Sequence, residues 1–173
     1  TVYGAVETVA KLEAVVATAA KEAAAKRAED KVDEEEKGWK ERDGAGLEPL
    51  LRFDAALGDS PVKLVDARFL VSLALAGGVL CRRQDLPDEA FLELDALRKM
   101  PGAGILGLRV ICISYPWLQP DHPDPKATTL RLVANVLQHF LKELSGTWGV
   151  FLDFCSLHQN PRSDAQGALF KTA

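Results

Sequence analysis

Leu108–Tyr115 reads LRVICISY and Gly149–Cys155 reads GVFLDFC, and these two stretches decide the fold. Each is a short, almost unbroken apolar run rich in Val, Ile, Leu and Phe. That pattern belongs to a strand buried on both faces rather than to a half-solvated one. The first run is followed by the Pro-rich turn WLQPDHPDP, Trp117 to Pro125. Thr128 to Leu144 then repeats Leu130, Val133, Leu137 and Leu141 at helical spacing, and Ser145-Gly146 ends it. Strand, helix, strand is a βαβ unit, which requires a parallel pair with a right-handed crossover.

Upstream the pattern is helical. In Thr1 to Asp43 an apolar stripe of Val2, Val6, Val9, Leu12 and Val16 thins to Ala19, Ala20, Ala23 and Ala24. Lys and Glu then take over, ending in Asp33-Glu34-Glu35-Glu36. Ala, Glu and Lys favour a long helix, and its narrow apolar face is either solvated or laid along a partner protein. Gly38, Gly44 and Gly46 break it, and Leu47 to Leu57 is a short apolar segment closed by Gly58. Ser60 as N-cap and Pro61 at the first helical position predict a helix with the stripe Val62, Val65, Phe69 and Leu73, stopped by Gly77. A further helix is predicted from Leu86 or Pro87 to Lys99. Asp85 lies near its cap, Phe91, Leu94 and Leu97 face inward, and Pro101-Gly102 ends it. The first hundred residues therefore read as all-helical. The expected fold class is α/β: a helical extension at 1–46, a helical region at 47–104, and a βαβ unit of an incomplete parallel sheet at 105–173.

Composition narrows the class. The 173 residues are 27% charged and 47% hydrophobic, which excludes collagen, a disulfide-knotted toxin and wholesale disorder. The three Cys form no Cys-x-x-Cys pair, so reduced thiols in an intracellular reducing compartment, cytoplasm or organelle, are expected. A net charge of -4 offers no footprint for nucleic acid or for an anionic membrane. The most apolar window, Leu64 to Cys81, carries Asp66 and Arg68 and breaks at Gly77-Gly78, so it reads as a buried helix and not a membrane span. The chain begins with Thr1 rather than Met, as a processed chain or a fragment does.

In open α/β sheets ligands bind beyond the carboxyl ends of the strands. Those ends are Ser114-Tyr115-Pro116-Trp117 and Asp153-Phe154-Cys155-Ser156-Leu157-His158-Gln159. The candidate pocket is therefore Ser114, Tyr115, Trp117, Asp153, Ser156, His158 and Gln159. Ser114 is either a nucleophile or phosphate contact, or a turn cap without a Gly-x-Ser-x-Gly elbow. Tyr115 and Trp117 anchor the loop or stack on a base. Asp153 ligates a cation or orients a ribose, or it caps the next turn. Cys155 and His158 have the types of a nucleophile and its base, although a buried structural cysteine is the plainer reading. Gln159 opens the turn signal Gln159-Asn160-Pro161. His122 with Asp121 and Asp124 has metal-ligating types, but Pro120, Pro123 and Pro125 argue for a rigid turn and no second cluster has metal spacing. Neither a Walker A loop nor a Gly-x-Gly-x-x-Gly is present, so no cofactor and no metal are expected. Arg82-Arg83 reads as a helix-end or surface salt-bridging pair.

The same two loops carry a family resemblance. Ser114-Tyr115-Pro116-Trp117 resembles the Ser-Tyr-x-Trp of the fungal heterokaryon-incompatibility (HET) domain, a relative of the TIR fold. Asp153 to Gln159 resembles its Asp-x-x-Cys-Ile-x-Gln element, with Ser156 in the place of that Cys. ISYPWLQPDHPDP followed by FLDFCSLHQNP, with GGVLCRRQDLPDEAF ahead of them, is similar to proteins of dinoflagellates and related algae. The resemblance spans roughly Val62 to Ala173. It departs from the HET pattern at Leu118, where a Gly follows the Trp. On the crossover helix the only acidic residue is Glu143, at its far end, so a TIR-type catalytic Glu is not carried over. The resemblance implies a TIR/HET-like sheet that is truncated here or completed by a partner.

Three functions follow as expectations. The first is a non-catalytic interaction or scaffold subunit that meets its protein partner through the N-terminal helix. From the algal likeness, it would be a peripheral subunit of a photosynthetic assembly in an organelle such as the chloroplast stroma, seated on a membrane complex without spanning the membrane. The second is a TIR-like NAD or nucleotide hydrolase with Ser114, Trp117, Asp153 and Gln159 lining the pocket. The third is a self-associating signalling adaptor.

Overall fold

A computed structural model describes residues 2–41, 44–99, 109–119, 121–143 and 147–173, with backbone alone for 2–16 and 19. Leu108 and the helix stops assigned to Pro101-Gly102 and Ser145-Gly146 lie outside the described residues. The chain divides into two compact units, Thr1–Gly38 and Trp39–Ala173.

The first unit is one helix. Helix α1 runs Val2–Glu41, about 60 Å at 1.5 Å per residue. From Ala20 to Glu34 every residue is exposed, so Ala20, Ala23 and Ala24 have no cover, and Val32 is 60% exposed.

In the second unit the decisive expectation holds. β3 (Val110–Ile113) and β4 (Gly149–Leu152) pair in parallel, with Val110 beside Gly149 and Ile113 beside Leu152. Helix α5 (Thr128–Glu143) crosses between them. After Leu152 the chain turns into the short helix α6 (Asp153–Ser156) instead of continuing as strand to Cys155. The Ser156 hydroxyl accepts the Leu152 N–H at 3.0 Å, which closes that turn.

The all-helical reading of the first hundred residues needs correction. Leu64–Asp66 is a strand, β1, and Phe91–Leu92 is another, β2. The sheet has four strands in the order β2-β1-β4-β3, with β1 antiparallel to both β2 and β4. The Ser60-Pro61 helix start is not used, and the Ser60 hydroxyl donates to Val62 O at 3.0 Å. The helix, α3 (Ala67–Leu75), begins after β1 with Asp66 as N-cap, accepting from Arg68 N. β4 and β2 offer Leu64–Asp66 a ladder on each side, and such tertiary pairing overrides local helix signals. The helix predicted from Leu86 or Pro87 to Lys99 is likewise split. Asp88–Ala90 is a 3-10 turn, Phe91–Leu92 covers the edge of β1, and only Leu94–Arg98 is helical, as α4. Gly77 ends α3 as expected, with φ +75.

The alternation of the strands sends side chains to two cores. Val65, Phe91, Val150 and Leu152 face α3 and α5 with Leu70, Leu130 and Leu137. Burying each Leu contributes about 1.5–3 kcal/mol. Leu64, Leu92, Val110 and Phe151 face Trp39 and Leu97, over which α2 (Gly44–Leu51) and α4 pack. Trp39 is 2% exposed and donates from Nε1 to Glu48 at 3.1 Å. Gly44 is required beside it, because a Cβ there would collide with the indole. The remaining helix, α7 (Asp164–Thr172), starts with a Ser163–Gln166 capping box.

Candidate functional site

The parallel pair brings its two trailing loops together, as the strand-end rule requires. Trp117 Nε1 donates to Asp153 Oδ2 at 3.1 Å, and its ring sits edge-on to Phe154 with centroids 5.5 Å apart. Tyr115 lies half-buried behind them, its hydroxyl without a hydrogen-bond partner among the described residues. Burial pushes the Tyr115 phenol well up, helped by Cys155, Asp153 and Asp124. Ser114 is exposed at the strand end.

The Pro-rich turn between β3 and α5 is held by its own polar groups. His122 Nε2 lies 3.0 Å from Leu80 O, and His122 Nδ1 accepts from Asp124 N at 2.9 Å. A carbonyl only accepts, so Nε2 carries the proton and the ring is the neutral Nε2–H tautomer. The Asp124 carboxylate is fully buried and accepts the N–H groups of Thr128 at 2.8 Å and Leu130 at 2.7 Å, capping α5. His122 and Asp124 thus hold the turn together. No group of three or more His, Cys, Asp or Glu among the described residues is placed to hold a metal ion.

The second loop is internally bonded as well. Asp153 Oδ1 accepts Phe154 N at 2.7 Å. Gln159 Nε2 donates to Asp153 O at 2.9 Å and Leu157 O at 3.0 Å. The Gln159 backbone is bracketed by Gln84, which accepts its N–H at 3.1 Å and donates to its carbonyl at 2.6 Å. Cys155 is 1% exposed and its thiol donates to Cys81 O at 3.2 Å. Burial raises that thiol to about 12, so it stays protonated at neutral pH and cannot serve as a thiolate. His158 is engaged elsewhere, with Nε2 3.2 Å from Asp59 Oδ2. Of the seven expected pocket residues, Tyr115, Trp117 and Asp153 meet at the crevice. Ser156 and Gln159 are spent on the backbone, and His158 belongs to a different cluster.

That cluster escaped the sequence reading. Because β1 is antiparallel to β4, its leading loop, residues 59–63, arrives at the carboxyl end of β4. Arg83, read from sequence as a surface or helix-end residue, is 2% exposed there. It donates to Pro61 O at 2.7 Å, Ser60 O at 2.6 Å and Ser156 O at 3.1 Å, and it pairs with Asp59 at 3.0 Å. Three buried carbonyls from two segments need a donor, and one guanidinium supplies it. Arg82 behaves as expected, pairing with Asp85 at the surface at 2.6 Å. Burial lowers the His158 pKa, and the neighbouring Arg83 lowers it further. For Asp59, burial works against ionisation. The Ser60 N–H, Arg83 and Lys63 overcome it and hold the carboxyl below its usual value. A cavity of about 210 Å³ adjoins the cluster, lined by Lys63, Gln84 and Gln166 as well as Asp59, Arg83 and His158. Asp59 and Arg83 lie in segments joined by no shared motif, so only the antiparallel strand could have announced the pair.

The arrangement supplies bonding that fixes loops and a small polar cavity. Among the described candidate residues it places no nucleophile beside a base. No helix among the described residues is long and apolar enough to cross a membrane. Comparisons of the chain with protein families, with curated proteins and with solved structures find no match.

Proposed function

We propose that this chain is a non-catalytic interaction or scaffold subunit that binds a protein partner along α1. One contrast carries the reading. Trp117, Asp153, Cys155 and Gln159, expected to do chemistry at the strand ends, are bonded within the fold, whereas α1 is exposed at every residue from Ala20 to Glu34. A long helix with Ala20, Ala23, Ala24 and Val32 open to solvent gains stability by packing that surface against a partner. The resemblance to algal proteins extends the reading to a peripheral subunit of an organellar assembly.

The test is chemical cross-linking of the full chain in an extract of its source, followed by peptide mass spectrometry. The expected result is one partner protein, with cross-links concentrated at Lys21, Lys26 and Lys31 and lost in the Ala20→Glu, Ala24→Glu variant. A folded, monodisperse chain that gains no partner would overturn the proposal. So would NAD turnover that disappears with Asp153→Ala, which would favour the hydrolase.

A further inference from the structure

A groove of about 740 Å³ runs beside β2, an edge strand of the sheet. Its size falls in the range of about 300–1,000 Å³ typical of ligand clefts. Its apolar lining comes from Leu51, Phe53, Val62, Leu92 and Leu94, and Phe53 is 63% exposed.

The backbone of β2 is open on this side. Ala67 N donates to Trp148 O, so the odd-numbered residues of β1 turn their peptide groups toward β4 and Leu64 turns its own toward β2. Leu64 is paired with Leu92, whose peptide groups therefore face β1. By strand alternation, Phe91 C=O and Glu93 N–H point outward, while Phe91 N–H is taken up by Asp88 O. These outward groups are spaced as one residue of an added parallel strand needs them, one acceptor and one donor flanking a single position.

The charges at the groove select the occupant. Lys63 is already held between Asp59 at 3.4 Å and Asp88 at 3.7 Å, and Arg52 is paired with Glu48. Glu93 has no cationic partner among the described residues, and Asp88 is 96% exposed at its side chain. Glu93 therefore leaves unmatched negative charge on the rim, while Asp88 shares Lys63 with Asp59, over an apolar floor.

We infer that this groove receives an extended segment of a partner protein, alternating basic and apolar residues, which adds to β2 as a parallel strand. Main-chain bonds to Phe91 and Glu93 set the register, apolar side chains enter the floor, and basic ones meet Glu93 and Asp88. The inference rests on the interaction reading above but adds a second contact, carried by β2 and residues 51–63.

The experiment uses the full chain and a fluorescein-labelled peptide, Lys-Val-Arg-Leu-Lys-Val-Arg, read by fluorescence anisotropy. Saturable one-to-one binding is expected, weakened about tenfold, or 1.4 kcal/mol, when every basic residue of the peptide is replaced by Glu. Two isomeric peptides, N-methylated at odd or at even amides, should differ about tenfold, because only one set of amides faces β2. Asp88→Lys with Glu93→Lys should weaken binding by a similar factor with an unchanged circular dichroism spectrum, since both side chains are exposed. Equal binding by the two N-methylated peptides would mean attraction by charge alone and would overturn the inference, as would absence of saturable binding. Cross-links at α1 that persist when the peptide fails to bind would leave the interaction reading standing without the groove.

Discussion

Arg83→Met is the most direct perturbation of the fold, because it keeps side-chain length and removes every donor. The arginine is buried to 2% exposure, and its loss leaves the carbonyls of Ser60, Pro61 and Ser156 without their charged donor. It also leaves Asp59 ionised beside an apolar sulfur. A hydrogen bond to a charged group contributes about 1.5–3 kcal/mol, and these bonds are not additive because one group makes them all. Removing one partner of a buried ion pair costs about 3–5 kcal/mol. The Asp59 side chain is 24% exposed, so water softens its part, and the expected total is about 3–4 kcal/mol. That is a large share of the roughly 5–15 kcal/mol that holds a domain folded. Urea titration followed by tryptophan fluorescence should show the midpoint falling by about 1.5–2 M, given a slope near 2 kcal/mol/M. Asp59→Asn in the same chain should cost less than the sum of the two single changes, by about 1 kcal/mol or more. A midpoint shift under about 0.5 M, or strict additivity with Asp59→Asn, would refute the assignment of Arg83 as the pin between the β1 leading loop and the β4 trailing loop.

Three further outcomes follow from the same geometry. The folded state holds His158 neutral below its ordinary pKa of about 6.5, so between the lowered folded value and that point the unfolded chain binds more protons. Stability should therefore fall as pH drops below about 6.5, and the drop between pH 7.5 and 5.5 should be smaller in His158→Gln. Asp124→Ala removes both carboxylate acceptors from the start of α5 and should cost about 2 kcal/mol by urea titration, with Asp124→Asn costing less because one oxygen remains. A thiol-reactive chromophore should label Cys112, which is exposed, within the mixing period, and Cys155 only after unfolding. Cys81, half-buried with its thiol raised by burial and by Asp85, should react at an intermediate rate.

The crevice between the strand ends was legible because both strands are continuous apolar runs and the intervening helix is amphipathic. Parallel pairing then places Tyr115, Trp117 and Asp153 in adjacent loops without further information. The roles within those loops were less legible. Cys155 and His158 look like a pair when spacing alone is read, yet the turn of α6 gives each a separate partner, Cys81 O for one and Asp59 for the other. Residue type says what a side chain can do. Hydrogen bonds to distant backbone say what it has left to do.

By itself the sequence determined the long charged helix, the βαβ core and the loops at its carboxyl end, because each follows from local periodicity over one element. Only tertiary structure decided that Leu64–Asp66 is a strand, that Phe91–Leu92 pairs with it and that Arg83 is buried. Short strands carry too few residues to show a period of their own, and their ladder comes from a neighbour far along the chain. The same holds for the Asp59, Arg83 and His158 cluster, whose members meet only because β1 runs against β4 and delivers its leading loop to the end where β4 stops.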